Sequence, residues 1–175
     1  DAPPDVTRDL IGSWADAVWE PGLAFGTIAA RKDGVCNAEK GCHCIDIEIT
    51  TFRTDGPGRK PEVTFTPDLT EDLRRRDFTI NAMALEVTRD GLEGMNADGT
   101  PNGSFGFLNR DNLIDPFGGF KHLTQGIIDT PRSPEQSFGD DPLRMLRAAR
   151  FVGQLGFAVS SRVWHAMAGM RGRLS

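Results

Sequence analysis

Arginine and aspartate side chains occur together at two places where their spacing could support binding of a phosphorylated ligand. The first is Arg74-Arg75-Arg76-Asp77, in which three guanidinium groups precede a carboxylate. The guanidinium groups could contact phosphate, and the carboxylate could accept a hydrogen bond from a ribose hydroxyl. The same run would also suit the C-terminal end of a helix, where the helix dipole favours basic side chains. Spacing alone therefore leaves both interpretations open.

The second place is a predicted helix that begins at Asp141-Pro142, with Asp as the N-cap and Pro in the first turn. At about 100° per residue, one side of this helix would carry Arg144, Arg147 and Arg150. Three guanidinium groups on one side could hold a triphosphate and contact a base edge, although a solvated helix face is the commoner arrangement. The opposite side is predicted to be apolar and buried, through Met145, Ala148, Ala149, Val152 and Leu155.

The order of these segments along the chain resembles the class II tRNA nucleotidyltransferases, the family of the bacterial and eukaryotic CCA-adding enzymes and the bacterial poly(A) polymerases. The resemblance implies an α+β fold. Residues 1–118 would form a partial nucleotidyltransferase head, a mixed β-sheet flanked by helices, and residues 119–175 would begin a helical neck. The segments that carry the resemblance are Glu48–Arg53, Arg75–Ala84, Asp115–Gly119 and Asp140–Phe151.

The resemblance also implies a role for each matching residue. The implied nucleotide-binding residues are Arg76, Asp77, Asp141, Arg144, Arg147 and Arg150. The first two would contact the phosphate and ribose of an incoming ribonucleotide. Asp141 and Arg144 would read its base and accept CTP and then ATP, and the last two would hold the triphosphate. The partners implied are therefore CTP, ATP and the 3′ end of tRNA.

The implied reaction depends on Mg²⁺. Glu48 matches an acidic, catalytic position on the strand beside the metal site. Family members carry a Gly-Gly…Arg segment and an Asp-x-Asp pair that binds Mg²⁺, and these would precede Asp1. We therefore expect the metal ligands upstream of Asp1, and we expect this chain by itself to be unable to transfer nucleotides.

Three alternatives to complete CCA addition stay open. The loop Thr54–Gly58 is shorter than the flexible loop that family members use in the final A addition, which makes a CC-adding enzyme an alternative. Poly(A) polymerase activity is the second alternative. A non-catalytic remnant that still binds nucleotide or RNA is the third. Asp140-Asp141 also stands where family members usually have Glu-Asp, a change that keeps the second carboxylate.

A cysteine-rich insert lies between two predicted strands. Cys36, Cys42, His43 and Cys44 fall within nine residues and could ligate zinc tetrahedrally. Structural zinc sites ordinarily use Cys-x-x-Cys pairs, and an extended chain would direct His43 away from its two neighbours. We therefore expect ordinary reduced cytosolic thiols, with a small zinc module as the alternative.

Charge and hydropathy restrict the class of protein further. The formal charge of −5 argues against a uniformly basic nucleic-acid binder. Residues 140–175 are locally basic, since six Arg against two Asp give +4, which suits contact with phosphate at chosen places. No run of about 18 apolar residues is present, so a transmembrane helix is excluded and a cytoplasmic protein is expected.

Hydrophobic periodicity predicts the elements that position these residues. Asp33-Gly34 is predicted to be a turn, Ala82–Val87 a strand or a buried helix, Asp90–Gly106 a surface loop, and Gly156 a helix end. The remaining predictions, in chain order, are a helix over Thr7–Trp19, strands over Leu23–Arg31 and Ile45–Arg53, a helix over Leu69–Arg76, and a helix that begins at Ser160 or Ser161.

Overall fold

A computed structural model of the chain describes residues 2–37, 41–56, 58, 62–87 and 110–174; for 35–37, 41–43 and 110 it describes the backbone only. The predicted loop Asp90–Gly106 lies outside these residues. The chain forms two compact units. We call residues 1–54, 63–68 and 87–110 the strand-rich unit and residues 55–62, 69–86 and 111–175 the helix-rich unit.

Among its described residues, the strand-rich unit has one α-helix and a three-stranded antiparallel sheet in the order β1-β2-β3. A short 3₁₀ turn, Leu23–Phe25, separates the first two strands. A second, two-stranded sheet is formed by β4 and β5. The elements are α1 (Pro4–Gly12), β1 (Ala17–Gly22), β2 (Thr27–Asn37), β3 (Gly41–Thr50), β4 (Arg53–Asp55) and β5 (Val63–Phe65).

The predicted helix Thr7–Trp19 is wrong in its second half. Helix α1 ends at Gly12, and the chain then enters β1, in which Val18 is paired with Ala30 and Trp19 with Ala29 of β2. β-Branched and aromatic residues favour strands, and β2 offers Val18 and Trp19 an antiparallel partner strand. Strand pairing thus overrides the helical spacing of the apolar residues.

The alternation of apolar and polar residues that predicts β3 is confirmed in part. Ile45 and Ile47 are half-buried, and Asp46 and Glu48 are exposed, but Ile49 is exposed as well. The predicted turn at Asp33-Gly34 is instead a bulge inside β2. Gly34 has a φ of 68°, and the register shifts between Lys32 and Val35. The predicted insert is therefore a continuation of the β2–β3 hairpin, in which β2 runs on to Asn37.

The described part of the helix-rich unit has five α-helices and two pairs of two-residue strands. Strands β6 and β7 are antiparallel, and β8 and β9 are parallel. The segment Ala82–Val87, which the sequence leaves as either a strand or a buried helix, contains the short strand β6. The elements are α2 (Leu69–Arg74), β6 (Ala84–Leu85), β7 (Leu113–Ile114), α3 (Gly119–Gln125), β8 (Ile127–Ile128), α4 (Pro134–Asp140), α5 (Leu143–Leu155), β9 (Ala158–Val159) and α6 (Ser161–Met170).

Together the two units make the α+β fold that was predicted. The helix ends also follow the sequence signals. Ser160 caps α6 by accepting a hydrogen bond from the amide of Val163, and Gly156 ends α5 with a φ of 69°. Helix α5 begins one residue later than predicted, yet the Asp141 carboxylate still accepts from the amide of Leu143 (3.0 Å). Within the described residues, no helix is long and apolar enough to cross a membrane.

The buried side of α5 differs from the predicted one. Met145 and Ala148 are buried as predicted, and Phe151 is the third inward-facing residue, with its ring edge-on to Phe78 at 5.6 Å. The apolar partners Phe78 and Ile128 lie against Ala148 and Phe151, so this side of the helix faces the core. The predicted members that are exposed instead are Ala149, Val152 and Leu155.

Gly119 permits a close approach between α3 and the 3₁₀ turn Thr79–Asn81. A Cβ atom at Gly119 would lie 2.1 Å from the Thr79 carbonyl oxygen and 2.7 Å from Cγ of Met83. Both distances are shorter than the contacts that real Cβ atoms make, and the Thr79 carbonyl oxygen, as a backbone atom, cannot easily move away. Glycine is therefore required here by space, and the Asp115 carboxylate fixes the turn by accepting from the Gly119 amide at 2.6 Å.

We predict that Gly119→Ala lowers the free energy of unfolding by about 3 kcal/mol, the upper end of the usual range for overpacking. Urea denaturation would measure it. Gly153→Ala is the matched control, because Gly153 lies in α5 with nothing within 4 Å of an added Cβ; this change should raise stability by up to about 1 kcal/mol. Equal effects of the two substitutions would contradict the steric argument.

Candidate nucleotide-binding site

A buried carboxylate, which was not predicted from the sequence, holds Arg75 and Arg76 of the run Arg74–Asp77 in place. Asp72 in α2 is 2% exposed. Its Oδ1 accepts from Nε and Nη2 of Arg75 (3.1 and 2.8 Å), and its Oδ2 accepts from Nη2 of Arg76 (3.1 Å). Arg75 also donates to Asp55 at 3.2 Å. The i, i+3 and i+4 spacing of these residues is the sequence signal that could have indicated this network.

Asp77 joins the two predicted clusters. Its Oδ1 accepts from the Phe78 amide (2.8 Å) and from Nδ2 of Asn81 (3.1 Å). Its Oδ2 accepts from Nε (2.7 Å) and pairs with Nη2 (2.6 Å) of Arg147, which lies 70 residues away in the sequence. The same Arg147 guanidinium lies over the ring of Phe151, 5.6 Å from its centre. The structure thus brings together residues that the sequence only predicted to share a ligand.

Arg144 is half-buried and bonded to two uncharged acceptors. Nη1 donates to Oγ of Ser137 (2.8 Å), and Nη2 donates to the backbone carbonyl of Arg75 (2.8 Å). Burial lowers the pKa of Arg144, and the negative charge of Asp77 opposes that shift. An arginine nevertheless stays protonated in a protein. Among the described residues no carboxylate pairs with it, so this positive charge is not neutralised by a direct partner.

The three arginines that were predicted to share one side of α5 differ in burial. Arg147 and Arg150 are exposed, whereas Arg144 lies closer to the core. The reason is that Arg144 is directed toward α4 and the Arg75 carbonyl. Arg150 donates from Nε to Oε1 of Gln154 (3.0 Å) within the same helix. Asp141 precedes α5, and its amide donates to the carbonyl of Ser137 at 3.2 Å.

Glu48, the predicted acidic residue near a metal, belongs to the strand-rich unit, where it is exposed on β3 opposite Ala29. Its neighbour Asp46 is paired with Arg31 (2.7 and 3.0 Å), and this hydrogen bonding lowers the pKa of Asp46. Asp46 is thus already engaged by a cation. Across the described parts of the chain, no group of three or more His, Cys, Asp or Glu is placed to hold a metal ion.

The cysteine-rich segment is described only in part. The backbone of Cys36 is paired with that of Cys42 across the β2–β3 hairpin, but the side chains of Cys36, Cys42 and His43 lie outside the described residues. Cys44 is exposed and forms no disulfide. A hydrogen bond with Asp33 raises the pKa of the Cys44 thiol, which keeps it protonated at neutral pH. Reduced thiols and a zinc module both stay predictions.

A second polar network supports the turn that follows Asp77. The Thr79 amide donates to the Asp129 carbonyl (2.8 Å), and Oγ1 of Thr79 is 2.9 Å from Nδ1 of His122. The Asp129 carboxylate, in turn, accepts from Nε of Arg162 (2.7 Å) and from Oγ of Ser160 (3.0 Å). His122 had no partner that the sequence could indicate, because Thr79 lies 43 residues away.

These features agree with the family to which the chain is related. Residues 1–129 match the Poly A polymerase head domain, so the chain belongs to that family. It is 40% identical over 150 residues to a CCA-adding enzyme of Anoxybacillus flavithermus, which covers 83% of this chain and 30% of that protein. The family resemblance read from the four segments is therefore confirmed.

Solved structures are similar as well. One is the Bacillus stearothermophilus CCA-adding enzyme in complex with CTP, at 34% identity and a TM-score of 0.64, over 95% of this chain and 32% of that one. Another is a tRNA nucleotidyltransferase complexed with a primer tRNA and an incoming ATP analogue, at 31% identity and a TM-score of 0.57, over 93% of this chain and 36% of that one. The chain thus spans about a third of the length of these proteins.

We predict that Asp72→Ala lowers the free energy of unfolding by about 3 kcal/mol, because it leaves two guanidinium groups without their buried partner. Chemical denaturation measures the loss. Glu71→Ala, the control next to it, removes an exposed carboxylate paired with Arg74 (3.1 Å) and should cost at most about 1 kcal/mol. If the two variants lost the same stability, the central place given to Asp72 would be wrong.

Proposed function

We propose that this chain is the nucleotide-selecting part of a tRNA nucleotidyltransferase that adds CMP and AMP to the 3′ end of tRNA. One observation carries the proposal: the half-buried Arg144 holds its charge against uncharged acceptors, beside Asp141 at the start of the same helix. Two of the five N–H groups of a guanidinium are used in these bonds. The other three donate to no acceptor among the described residues, and we assign them to the ligand.

The chemistry of the base edges supports this assignment. Cytosine and adenine each present an amino group beside a ring nitrogen that accepts hydrogen bonds, whereas uracil and guanine present a carbonyl beside an N–H. A carboxylate such as Asp141 would accept from the amino group, and Arg144 would donate to the ring nitrogen. The same pair would place two acceptors together at uracil or guanine. One protein surface could therefore accept both CTP and ATP.

The remaining residues suit the ribose and the phosphates. In the chain as it stands, Arg147 is paired with Asp77. A triphosphate would compete for this exposed guanidinium, since phosphate oxygens are strong acceptors for arginine. Oδ2 of Asp77 would then become free to accept from a ribose hydroxyl, which favours ribonucleotides. Arg76 and Arg150, both exposed, would contribute further phosphate contacts.

Mg²⁺ is the proposed cofactor, and Glu48 the proposed acidic residue near it; when bound, the metal would activate the tRNA hydroxyl and stabilise the leaving pyrophosphate. The proposed place of action is the cytoplasm, where tRNA and nucleoside triphosphates meet. We also propose the division into a head over residues 1–118 and the start of a neck over 119–175. A CC-adding enzyme, a poly(A) polymerase and a non-catalytic remnant are the competing functions.

Binding and incorporation assays test the proposal together. We expect the 175-residue chain to bind CTP and ATP in preference to UTP and GTP in calorimetry. We expect it not to incorporate labelled CTP into tRNA that lacks its CCA end. Equal binding of all four nucleotides would contradict the selection role, and clear incorporation would contradict the expectation that this chain by itself is inactive.

We predict that Arg144→Ala reduces discrimination between CTP and UTP by about tenfold or more, because a paired donor contact to a base is worth about 1–3 kcal/mol. Affinities for all four triphosphates would be compared. The control Arg150→Ala removes an exposed guanidinium from the same helix and should weaken all four to a similar degree. Unchanged selectivity in Arg144→Ala would mean that Arg144 does not read the base.

A further inference from the structure

We propose that Ser137 is a specificity-determining residue, which positions both Asp141 and Arg144 for recognition of the base. The inference rests on the proposed function, because it assigns a support to the base-reading pair. Ser137 is 1% exposed in the middle of α4. It would not touch the nucleotide and is therefore a positioning residue.

The side chain of Ser137 fixes one end of the Arg144 guanidinium. Its Oγ accepts from Nη1 at 2.8 Å, while the Arg75 carbonyl accepts from Nη2 at 2.8 Å. A guanidinium is planar and rigid, so acceptors on both terminal nitrogens determine its plane as well as its position. The N–H groups that are left then point in fixed directions, as recognition of a base edge requires.

The backbone of Ser137 holds the other member of the pair. Its carbonyl accepts from the Asp141 amide at 3.2 Å, and this bond closes the C-terminal end of α4. Asp141 itself has extended backbone angles, φ −140° and ψ 100°, as the chain leaves α4. A single buried residue therefore sets the positions of an acceptor and a donor that must match one base together.

A serine hydroxyl suits this place because it has no charge. The other paired guanidiniums of the site, those of Arg75, Arg76 and Arg147, are bonded to carboxylates, which offset their charge. A carboxylate at Ser137 would bind Arg144 strongly and reduce its attraction for a nucleotide. The hydroxyl orients the guanidinium and leaves its positive charge available.

The test is the ratio of CTP to UTP affinity in the 175-residue chain, measured by calorimetry. Ser137→Ala removes Oγ and keeps the backbone bond to Asp141, and we expect it to reduce the ratio by about tenfold. Affinity for inorganic tripolyphosphate should stay unchanged, because the phosphate-binding arginines are untouched. Ser133→Ala is the matched control: it removes the hydroxyl that caps the same helix by accepting from the Gln136 amide (3.2 Å), and it should leave the ratio unchanged.

Arg144→Ala, measured in parallel, distinguishes failure of the positioning role from failure of the proposed function. If Arg144→Ala lowers the ratio and Ser137→Ala does not, the positioning role is wrong and the proposed function stands. If the wild-type chain shows no preference, or Arg144→Ala has no effect, the proposed function fails and the positioning role fails with it. A fall of the same size in Ser133→Ala would also overturn the proposal, since helix stability would then be the cause.

A second measurement covers the case in which Ser137→Ala does not fold. Nitrogen-15 NMR of the wild-type side chains reports rotation of each guanidinium about its terminal bonds, with Arg144→Lys and Arg150→Lys used for assignment. We expect slow rotation at Arg144, which is anchored at both terminal nitrogens. We expect fast rotation at Arg150, which is bonded through Nε alone among the described residues. Equally fast rotation at both residues would overturn the proposal.

Discussion

The buried carboxylate of Asp72 is the interaction on which the arrangement of the helix-rich unit depends. A charge that is 2% exposed is tolerated only when cations and hydrogen bonds surround it, and Arg75 and Arg76 supply both. Their side chains are thereby drawn toward α2. The bonds between Arg75 and Asp72 also hold the Arg75 backbone in place, and its carbonyl accepts a hydrogen bond from Arg144. One ion cluster thus connects the segment before Asp77 with helix α5.

The arginines of the site divide into two kinds according to their partners. Those bonded to carboxylates, such as Arg75, are held in place and largely compensated in charge. Arg144 is held by a hydroxyl and a carbonyl instead, so its orientation is fixed while its charge persists. In a partly buried position that charge attracts a polar ligand more strongly than it would in water. This division separates residues that support the site from the residue best suited to recognition.

Close packing and a second polar network keep the turn after Asp77 in place. Gly119 brings α3 against the Thr79 carbonyl, and the Asp129 backbone accepts from the Thr79 amide. The Phe78 side chain between these contacts is fully buried. Because the turn is held from several sides, Asp77 can keep one oxygen bonded to its own loop while the other is shared with Arg147.

Much of the local structure was determined by the sequence itself. The alternation of Ile45 and Ile47 with polar residues predicted a strand at β3. Gly156 predicted the end of α5, and Ser160 predicted the start of α6. Each of these signals acts within a few residues of the chain. The ordered segments that carry Asp77 and Arg144 predicted the family, which the comparison with known proteins confirmed.

Only the tertiary structure decided which of these local preferences prevailed and which side chains meet. The helical spacing after Gly12 yielded to pairing of β1 with β2, since hydrogen bonds to a neighbouring strand outweigh weak propensity. The side of α5 that faces the core is the side that packs against Phe78, a residue far away in the sequence. Arg147 meets Asp77 across 70 residues, and Arg144 meets Arg75 across 69. Such contacts depend on how the chain folds back on itself, and residue spacing along a single helix or strand carries no information about them.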